Sequence, residues 1–314
     1  MYCNLKRANF LHYLPEDLVA YMKHITNLNR ERNQQIIIQA KEINELLLKN
    51  NITPIFLKGT GNLLEGLYED VAERMVGDID FIVSKEDYQK TIDIMHDFDY
   101  HKVDKKGYGS FDFKHYDKLK REGKIAAIEI HKELLKEKYA DEFNYNFIIN
   151  DIQVINKINV LSFKNQLSLT IIAIQINDNG LHFKSMALRN GYDVFLLSKK
   201  TSVKSAFLKL NKLQHPLNCF IAISNITFNN IKTLSYNKTI ETEKYLRIFL
   251  KNLNVSTKNK FIVKTISLKL FIWNSILVFK KSIFDRVLRK SLIKKIFDKS
   301  WRKEKLIQLG LKKS

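Results

Sequence analysis

The chain has 314 residues and a mass of 37.0 kDa, and 45% of its residues are hydrophobic, which excludes an intrinsically disordered protein. The net charge of +20 is concentrated at one end: residues 231–314 contain 22 basic and 5 acidic residues, whereas residues 1–230 are nearly neutral. This asymmetry indicates an anionic partner, either nucleic acid, acidic lipid or a polyanionic substrate. A solvated, lysine-rich helical surface is the simpler alternative.

The cysteines and the apolar segments favour a reducing, cytoplasmic setting. Cys3 and Cys219 fit neither a disulfide framework nor a metal-ligand spacing. The N-terminal segment lacks the apolar core and cleavage site of a signal peptide. The most apolar later stretch, residues 261–279, contains Lys264 and Lys269, which makes it too charged for a confident membrane span.

In chain order, residues 15–51 are predicted to form a helix because apolar residues recur every three or four positions. A small α/β unit follows, with predicted strands at 53–58, 78–83, 100–103, 110–116 and 125–131, and predicted helices at 62–68 and 85–98. Beyond residue 162 the pattern is mostly helical, with strands expected around 219–235. We predict an α+β protein, with a small mixed sheet and flanking helices in residues 1–160 and a mostly helical domain in residues 161–314.

An acid-x-acid pair on a predicted strand is the first candidate for chemistry. Asp78 and Asp80 share one face of their strand, about 7 Å apart. Neighbouring carboxylates repel unless cations lie between them, and Mg²⁺ or Mn²⁺ meets that need. Chance alone gives about three such pairs in a chain with this acid content. The pairs Asp97/Asp99 and Glu241/Glu243 lack the preceding glycine and apolar strand of the first pair.

A turn of small residues precedes this pair along the chain. The predicted strand at 53–58 runs into Lys58-Gly59-Thr60, and such a turn offers backbone N–H groups to phosphate. Lys58 and Arg74 could neutralise the same phosphates, or form surface ion pairs. Gly59 could also simply end the strand.

These residues resemble a known pattern. The segment from Lys58 to Val83, followed by Ile128 to Leu134, is similar to the uncharacterised nucleotidyltransferase family of the DNA polymerase β-like superfamily, which is often associated with bacterial polysaccharide gene clusters. The matching positions are Lys58-Gly59, Tyr68, Arg74, Asp78/Asp80, Glu129-Ile130-His131 and an Arg-x-x-x-Asp helix with Arg189 and Asp193. The sequence departs from the superfamily in having Gly59-Thr60 instead of Gly-Ser, a longer interval from Gly59 to Asp78, and Glu129 in place of Asp.

The resemblance implies metal-dependent transfer of a nucleoside monophosphate from an NTP to a hydroxyl acceptor, which family context suggests is glycan-related. Asp78, Asp80 and Glu129 would bind metal and carry catalysis, and Lys58, Gly59, Thr60 and Arg74 would bind the nucleotide. His131, Arg189 and Asp193 are further candidates. These candidates also have structural alternatives. Asp78 could simply begin its strand, and Glu129 could be a solvated residue on an edge strand. His131 could be a hydrogen-bonded structural histidine, and Arg189 and Asp193 could pair with each other on their helix.

The resemblance covers about residues 30–200, and the final hundred or so residues match no known pattern. The last part of the chain is residues 260–314. It carries an apolar stripe at helical spacing between lysines and arginines, comprising Ile283, Phe284, Val287, Leu288, Leu292, Ile293, Ile296 and Phe297. This stripe could pack on the catalytic domain or lie on an anionic membrane, and the charged face could meet nucleic acid. Two rival functions follow: a nucleic-acid-binding protein with vestigial catalytic residues, or a peripheral protein at the inner face of the membrane.

Overall fold

The computed structural model describes residues 1–103, 114–253 and 257–308. Its strands are β1 Ile55–Phe56, β2 Asp78–Ile82, β3 His101–Lys102, β4 Leu119–Lys120, β5 Ala127–His131, β6 Ile152–Ile155 and β7 Ile158–Leu161. Its helices are α1 Tyr2–Arg7, α2 Glu16–Lys49, α3 Lys58–Leu64, α4 Tyr88–Asp97, α5 Tyr145–Ile149, α6 Phe163–Ile172, α7 Gly180–Phe183, α8 Leu188–Ser198, α9 Val203–Phe207, α10 Gln214–Thr227, α11 Ile240–Leu253, α12 Thr257–Phe284, α13 Arg286–Phe297 and α14 Lys299–Gln308.

The strands form one mixed sheet in the order β3-β4-β5-β2-β1-β7-β6. The pairs β2/β5 and β1/β7 are parallel, and the other neighbouring pairs are antiparallel. The strands β2 and β5 lie inside the sheet, with a neighbouring strand on each side. The predicted α+β architecture, with a mixed sheet and a helical C-terminal part, is confirmed.

Helices cover this sheet through apolar faces. On α2, Ile36, Ala40, Ile43 and Leu47 recur every three or four residues and are all buried. On the C-terminal side, α6 is buried from Asn165 to Ile172 and packs against α8, α9 and α10. One hydrophobic cluster continues from the sheet into these helices, across the predicted domain boundary near residue 160. The division into two domains therefore stays a prediction.

One sequence prediction was wrong, and one element of the fold was missed. Residues 219–235, all within the described part of the chain, contain no strand, because residues 219–227 lie in the buried helix α10 and residues 228–235 form turns and a short 3₁₀ helix. The hairpin of β6 and β7 was missed. Its signal is the two-residue turn Asn156-Lys157, where both residues adopt positive φ, as two-residue hairpin turns often require. The strand predicted at 110–116 falls largely on residues 104–113, outside the described residues.

The C-terminal helices differ from the rest of the chain because much of their apolar surface is exposed. The predicted stripe is not one buried face: Leu288 is buried, whereas Phe284, Ile293 and Phe297 are exposed. By length and composition alone, the segment Phe261–Phe284 of α12 could cross a membrane, and no residue of its most apolar 18-residue window is buried. The expectation that its two lysines weigh against a span was therefore too strict.

Candidate active site

The acidic residues of β2 and β5 lie next to one another in the centre of the sheet. The two strands are parallel and in register, with Asp80 opposite Glu129 and Ile82 opposite His131. Because side chains two residues apart share a face, Asp78 and Asp80 project to the same side as Glu129 and His131. Two sequence segments about fifty residues apart thus meet at one point on the sheet.

Asp80, Glu129 and His131 form a compact, buried group. Ligand atoms from the three side chains all lie within 4.8 Å of one another. The Nε2 atom of His131 lies 2.9 Å from Oδ1 of Asp80 and 3.7 Å from Oε2 of Glu129. Glu129 lies on an interior strand and is only 8% exposed, so the alternative of a solvated edge-strand residue is wrong.

Two lysines neutralise these carboxylates. The Nζ atom of Lys58 lies 2.7 Å from Asp80 Oδ1 and 3.8 Å from Glu129 Oε2. The Nζ atom of Lys118 lies 2.5 Å from Asp78 Oδ2 and 3.1 Å from Glu129 Oε1. Burial disfavours both ammonium groups, but the facing carboxylates outweigh it and raise the pKa of each lysine above its ordinary value. Three carboxylates therefore share two fixed positive charges.

Sequence reasoning missed Lys118, because no motif marks it. It precedes β4, and only the antiparallel pairing of β4 with β5 brings it beside Glu129. A lysine immediately before a short, half-exposed strand has no local signature of a site. Its position depends entirely on the tertiary fold.

The electrostatic environment keeps Glu129 ionised. Burial alone would raise its pKa, but a hydrogen bond with His131 and the positive charges of Lys58 and His115 hold it far below its ordinary value. An ionised, buried carboxylate of this kind is a good ligand for a cation.

The turn that carries Lys58 is built around close packing. Lys58 itself adopts the left-handed conformation, with φ of 53°, a strained backbone of the kind found at functional sites. The Thr60 hydroxyl donates to the Asp78 carbonyl oxygen at 3.0 Å and so ties the turn to β2. At Gly61, a Cβ atom would lie 2.6 Å from Gln166 Nε2, so a larger residue would force the turn and α6 apart. Thr60 is thus tied to the strand that carries Asp78 and Asp80.

Arg74 and Asp193 form a separate buried cluster. The Nε atom of Arg74 donates to both carboxylate oxygens of Asp193, at 3.0 and 3.2 Å. The Tyr68 hydroxyl donates to the same carboxylate at 2.9 Å, and Asn62 donates to that hydroxyl. Burial raises the pKa of Asp193, against the opposing effect of Arg74 and Tyr68. Asp193 thus forms its ion pair with Arg74, and not with Arg189 of the same helix, which was the structural alternative.

Further basic residues lie near the turn. Partial burial raises the pKa of Asp178, while the positive charges of Lys114, Lys58, Lys136 and Arg189 act to lower it, so these cations act electrostatically on one carboxyl group. Arg189 is exposed at the start of α8. The carboxylates therefore lie among groups that could neutralise an anionic substrate.

The sequence matches the family model described as uncharacterised nucleotidyltransferase over residues 1–228. The chain belongs to this family. The match includes the whole sheet, both lysines and the Arg74–Asp193 pair, and it ends just after α10. It confirms the family resemblance inferred from the sequence. A search of the curated proteins finds no match.

The site has the donor chemistry that a divalent metal ion would require. Mg²⁺ and Mn²⁺ prefer carboxylate oxygens, and Asp80 and Glu129 provide these in a buried group, with Asp78 on the same face. The structure holds ammonium groups against those oxygens, which shows that the carboxylates need cationic partners. His131 adds a nitrogen donor that suits Mn²⁺ better than Mg²⁺.

A surface cavity elsewhere does not compete with this site. It has a volume of about 730 Å³ and lies beside α9 and α10, with Lys199, Lys200 and Lys204 among its lining residues. None of the predicted site residues lines it. The carboxylate group on β2 and β5 is therefore the candidate active site of this nucleotidyltransferase-family chain.

Proposed function

We propose that the chain is a metal-dependent nucleotidyltransferase, which transfers a nucleoside monophosphate from an NTP to a hydroxyl group of a second substrate. In this reaction the acceptor oxygen forms a bond to the α-phosphorus, the bond from the α-phosphorus to the bridging oxygen breaks, and pyrophosphate leaves. The observation that carries the proposal is the in-register pair Asp80 and Glu129, buried beside Asp78 with two lysines against it.

Asp78, Asp80 and Glu129 would hold Mg²⁺ or Mn²⁺. When bound, the metal would polarise the α-phosphate and lower the pKa of the acceptor hydroxyl. Because its carboxylate lies in the buried group with Asp80 and His131, we infer that Glu129 completes the metal site and helps to activate the acceptor hydroxyl by accepting its proton.

The two lysines would exchange partners when substrate arrives. Lys58 and Lys118 are held by carboxylates in the free protein, and both can form equivalent ion pairs with phosphate oxygens. Gly59 and Thr60, next to Lys58, lie where the family resemblance locates the triphosphate. His131 would orient Asp80 through their 2.9 Å contact.

Arg74 and Asp193 have a different role in this proposal. Their ion pair joins the segment before β2 to α8, so we assign both residues to positioning the sheet against the helices. Arg189 is exposed, and it is one of the positive charges that act on Asp178. It is therefore the better candidate for contact with substrate. The acceptor would be glycan-related, an assignment that rests on the family resemblance alone.

Calorimetric titration of the full chain with each NTP, with and without Mg²⁺, tests the proposal. We expect one NTP to bind with metal, and Asp80→Asn to abolish that metal-dependent binding because it removes a charge at the centre of the site. The matched control is Asp97→Asn/Asp99→Asn, the exposed acid-x-acid pair at the end of α4, which should bind like wild type. Equal NTP binding by wild type and Asp80→Asn would refute the metal role.

A further inference from the structure

The C-terminal helix α12 exposes aromatic side chains along its length. Phe261 is 71% exposed, Trp273 and Phe279 are each 62% exposed, and Phe284 is 93% exposed. Isolated exposed apolar residues are common, but a run of them on one long helix marks a surface that meets an apolar partner. The nucleotidyltransferase chemistry uses none of these residues.

Basic residues follow this apolar surface directly. Residues 280–314 contain 13 lysines and arginines and 3 acidic residues. On α13, the side chains of Arg286, Arg289, Lys290 and Lys294 are exposed, beside the exposed Ile293 and Phe297. The same surface therefore combines apolar groups with positive charge, which is the combination that binds anionic membranes.

The helix α12 follows an anchored helix closely, and its C-terminal end is held by the rest of the chain. It begins four residues after the end of α11, which is anchored by the buried side chains of Tyr245, Leu246 and Phe249. Towards its other end, Ser282 is buried and Lys281 forms an ion pair with Glu137. A helix of this length extends about 42 Å, so a membrane-spanning α12 would have its ends on opposite sides of a bilayer core about 30 Å thick.

We propose that α12 and α13 form a docking surface for an anionic phospholipid membrane. The helix α12 lies along the membrane interface with its exposed aromatic side chains inserted, and the lysines and arginines of α13 contact the phosphate headgroups. A second copy of the chain fits this surface less well, because a symmetric pair would bring two strongly basic segments together. Nucleic acid would match the charge but not the exposed aromatic and aliphatic side chains of α12. This proposal is independent of the nucleotidyl transfer.

Vesicle flotation of the full chain tests the proposal. We expect the protein to float with vesicles that mix phosphatidylcholine and phosphatidylglycerol, and to remain in solution with phosphatidylcholine alone. The variant Trp273→Ser/Phe279→Ser should reduce the bound fraction by about tenfold or more, because it removes two inserted aromatic groups. The control Leu208→Ser, which removes an apolar side chain of similar exposure away from α12, should bind like wild type.

Other outcomes overturn the proposal in identifiable ways. Equal flotation of the double variant and wild type would exclude insertion by α12. A dimer in analytical ultracentrifugation, lost in the double variant and accompanied by no flotation, would assign the surface to a second copy. Resistance to alkaline extraction from the vesicles would indicate a spanning helix. The double variant should retain metal-dependent NTP binding, which shows that its loss of flotation does not come from a folding defect. Flotation by a wild-type chain that binds no NTP would refute the proposed function and not the docking surface.

Discussion

Replacing Lys118 with methionine tests whether a lysine occupies the place of the catalytic cation in the free protein. The substitution preserves the length of the side chain and removes its charge. Lys118 faces Asp78 at 2.5 Å and Glu129 at 3.1 Å. Without it, three carboxylates share the single ammonium group of Lys58. We therefore expect Lys118→Met to bind Mn²⁺ more tightly than wild type when no nucleotide is present.

The size of the effect follows from the geometry. A pair of unit charges about 4 Å apart, at an effective dielectric constant of about 20, interacts by roughly 4 kcal/mol. The side chains of Lys118 and Asp78 are 31% and 34% exposed, so solvent screening reduces this to about 1–2 kcal/mol. Since about 1.4 kcal/mol corresponds to a tenfold change in affinity, Lys118→Met should bind Mn²⁺ roughly ten times more tightly.

Calorimetric titration with MnCl₂ measures this affinity, and thermal unfolding gives a second observable. Without metal, Lys118→Met should melt below wild type because its carboxylates repel, and added Mn²⁺ should raise its melting temperature more than that of wild type. Lys120→Met removes a nearby exposed charge and serves as the control. Unchanged or weaker Mn²⁺ binding by Lys118→Met would show that Lys118 does not compete with the metal.

Three further changes test the packing and the charges around the site. Burial raises the pKa of Glu65 to about 8 from its ordinary value of 4.5. Between these values the folded chain keeps a proton that the unfolded chain has lost, so stability falls by up to about 1.4 kcal/mol per pH unit as pH rises. Glu65→Gln should remove this fall, which thermal unfolding at several pH values measures. The same pH dependence of the melting temperature in wild type and variant would contradict it. Gly61→Ala puts a methyl group 2.6 Å from a side-chain amide of α6 and should lower the free energy of unfolding in urea by about 1–3 kcal/mol, whereas Gly77→Ala, at an open position, should not. Arg74→Met should cost about 3–5 kcal/mol because it leaves Asp193 buried without its cation, and the folded variant should bind NTP normally; weakened NTP binding would instead support a phosphate contact.

The sequence was sufficient to predict the elements whose signals are local. Alternating apolar residues marked β2 and β5, and the glycine before Asp78 distinguished this acid-x-acid pair from the one at Asp97. The family resemblance then located both strands in one site. Their parallel pairing, which sets Asp80 opposite Glu129, required the fold.

The remaining features depend on contacts between distant segments. Lys118 was missed because β4 gives it no pattern of its own. The pairing of Asp193 with Arg74 was not predicted, because Arg74 lies on a segment far away in the chain. The strands expected around residues 219–235 failed for a different reason. An apolar run has no clear periodicity when every face is buried, as in α10, so it does not distinguish a strand from a core helix.

The identity of the released phosphate product tests the central claim most directly. The purified chain would be incubated with each NTP and Mg²⁺, with a cell extract as the source of acceptor, and pyrophosphate and orthophosphate would be quantified. The account predicts pyrophosphate, formed in step with incorporation of the nucleotide's α-phosphate into a product, and lost in Asp80→Asn. Release of orthophosphate with a nucleoside diphosphate, or equal pyrophosphate from wild type and Asp80→Asn, would contradict it.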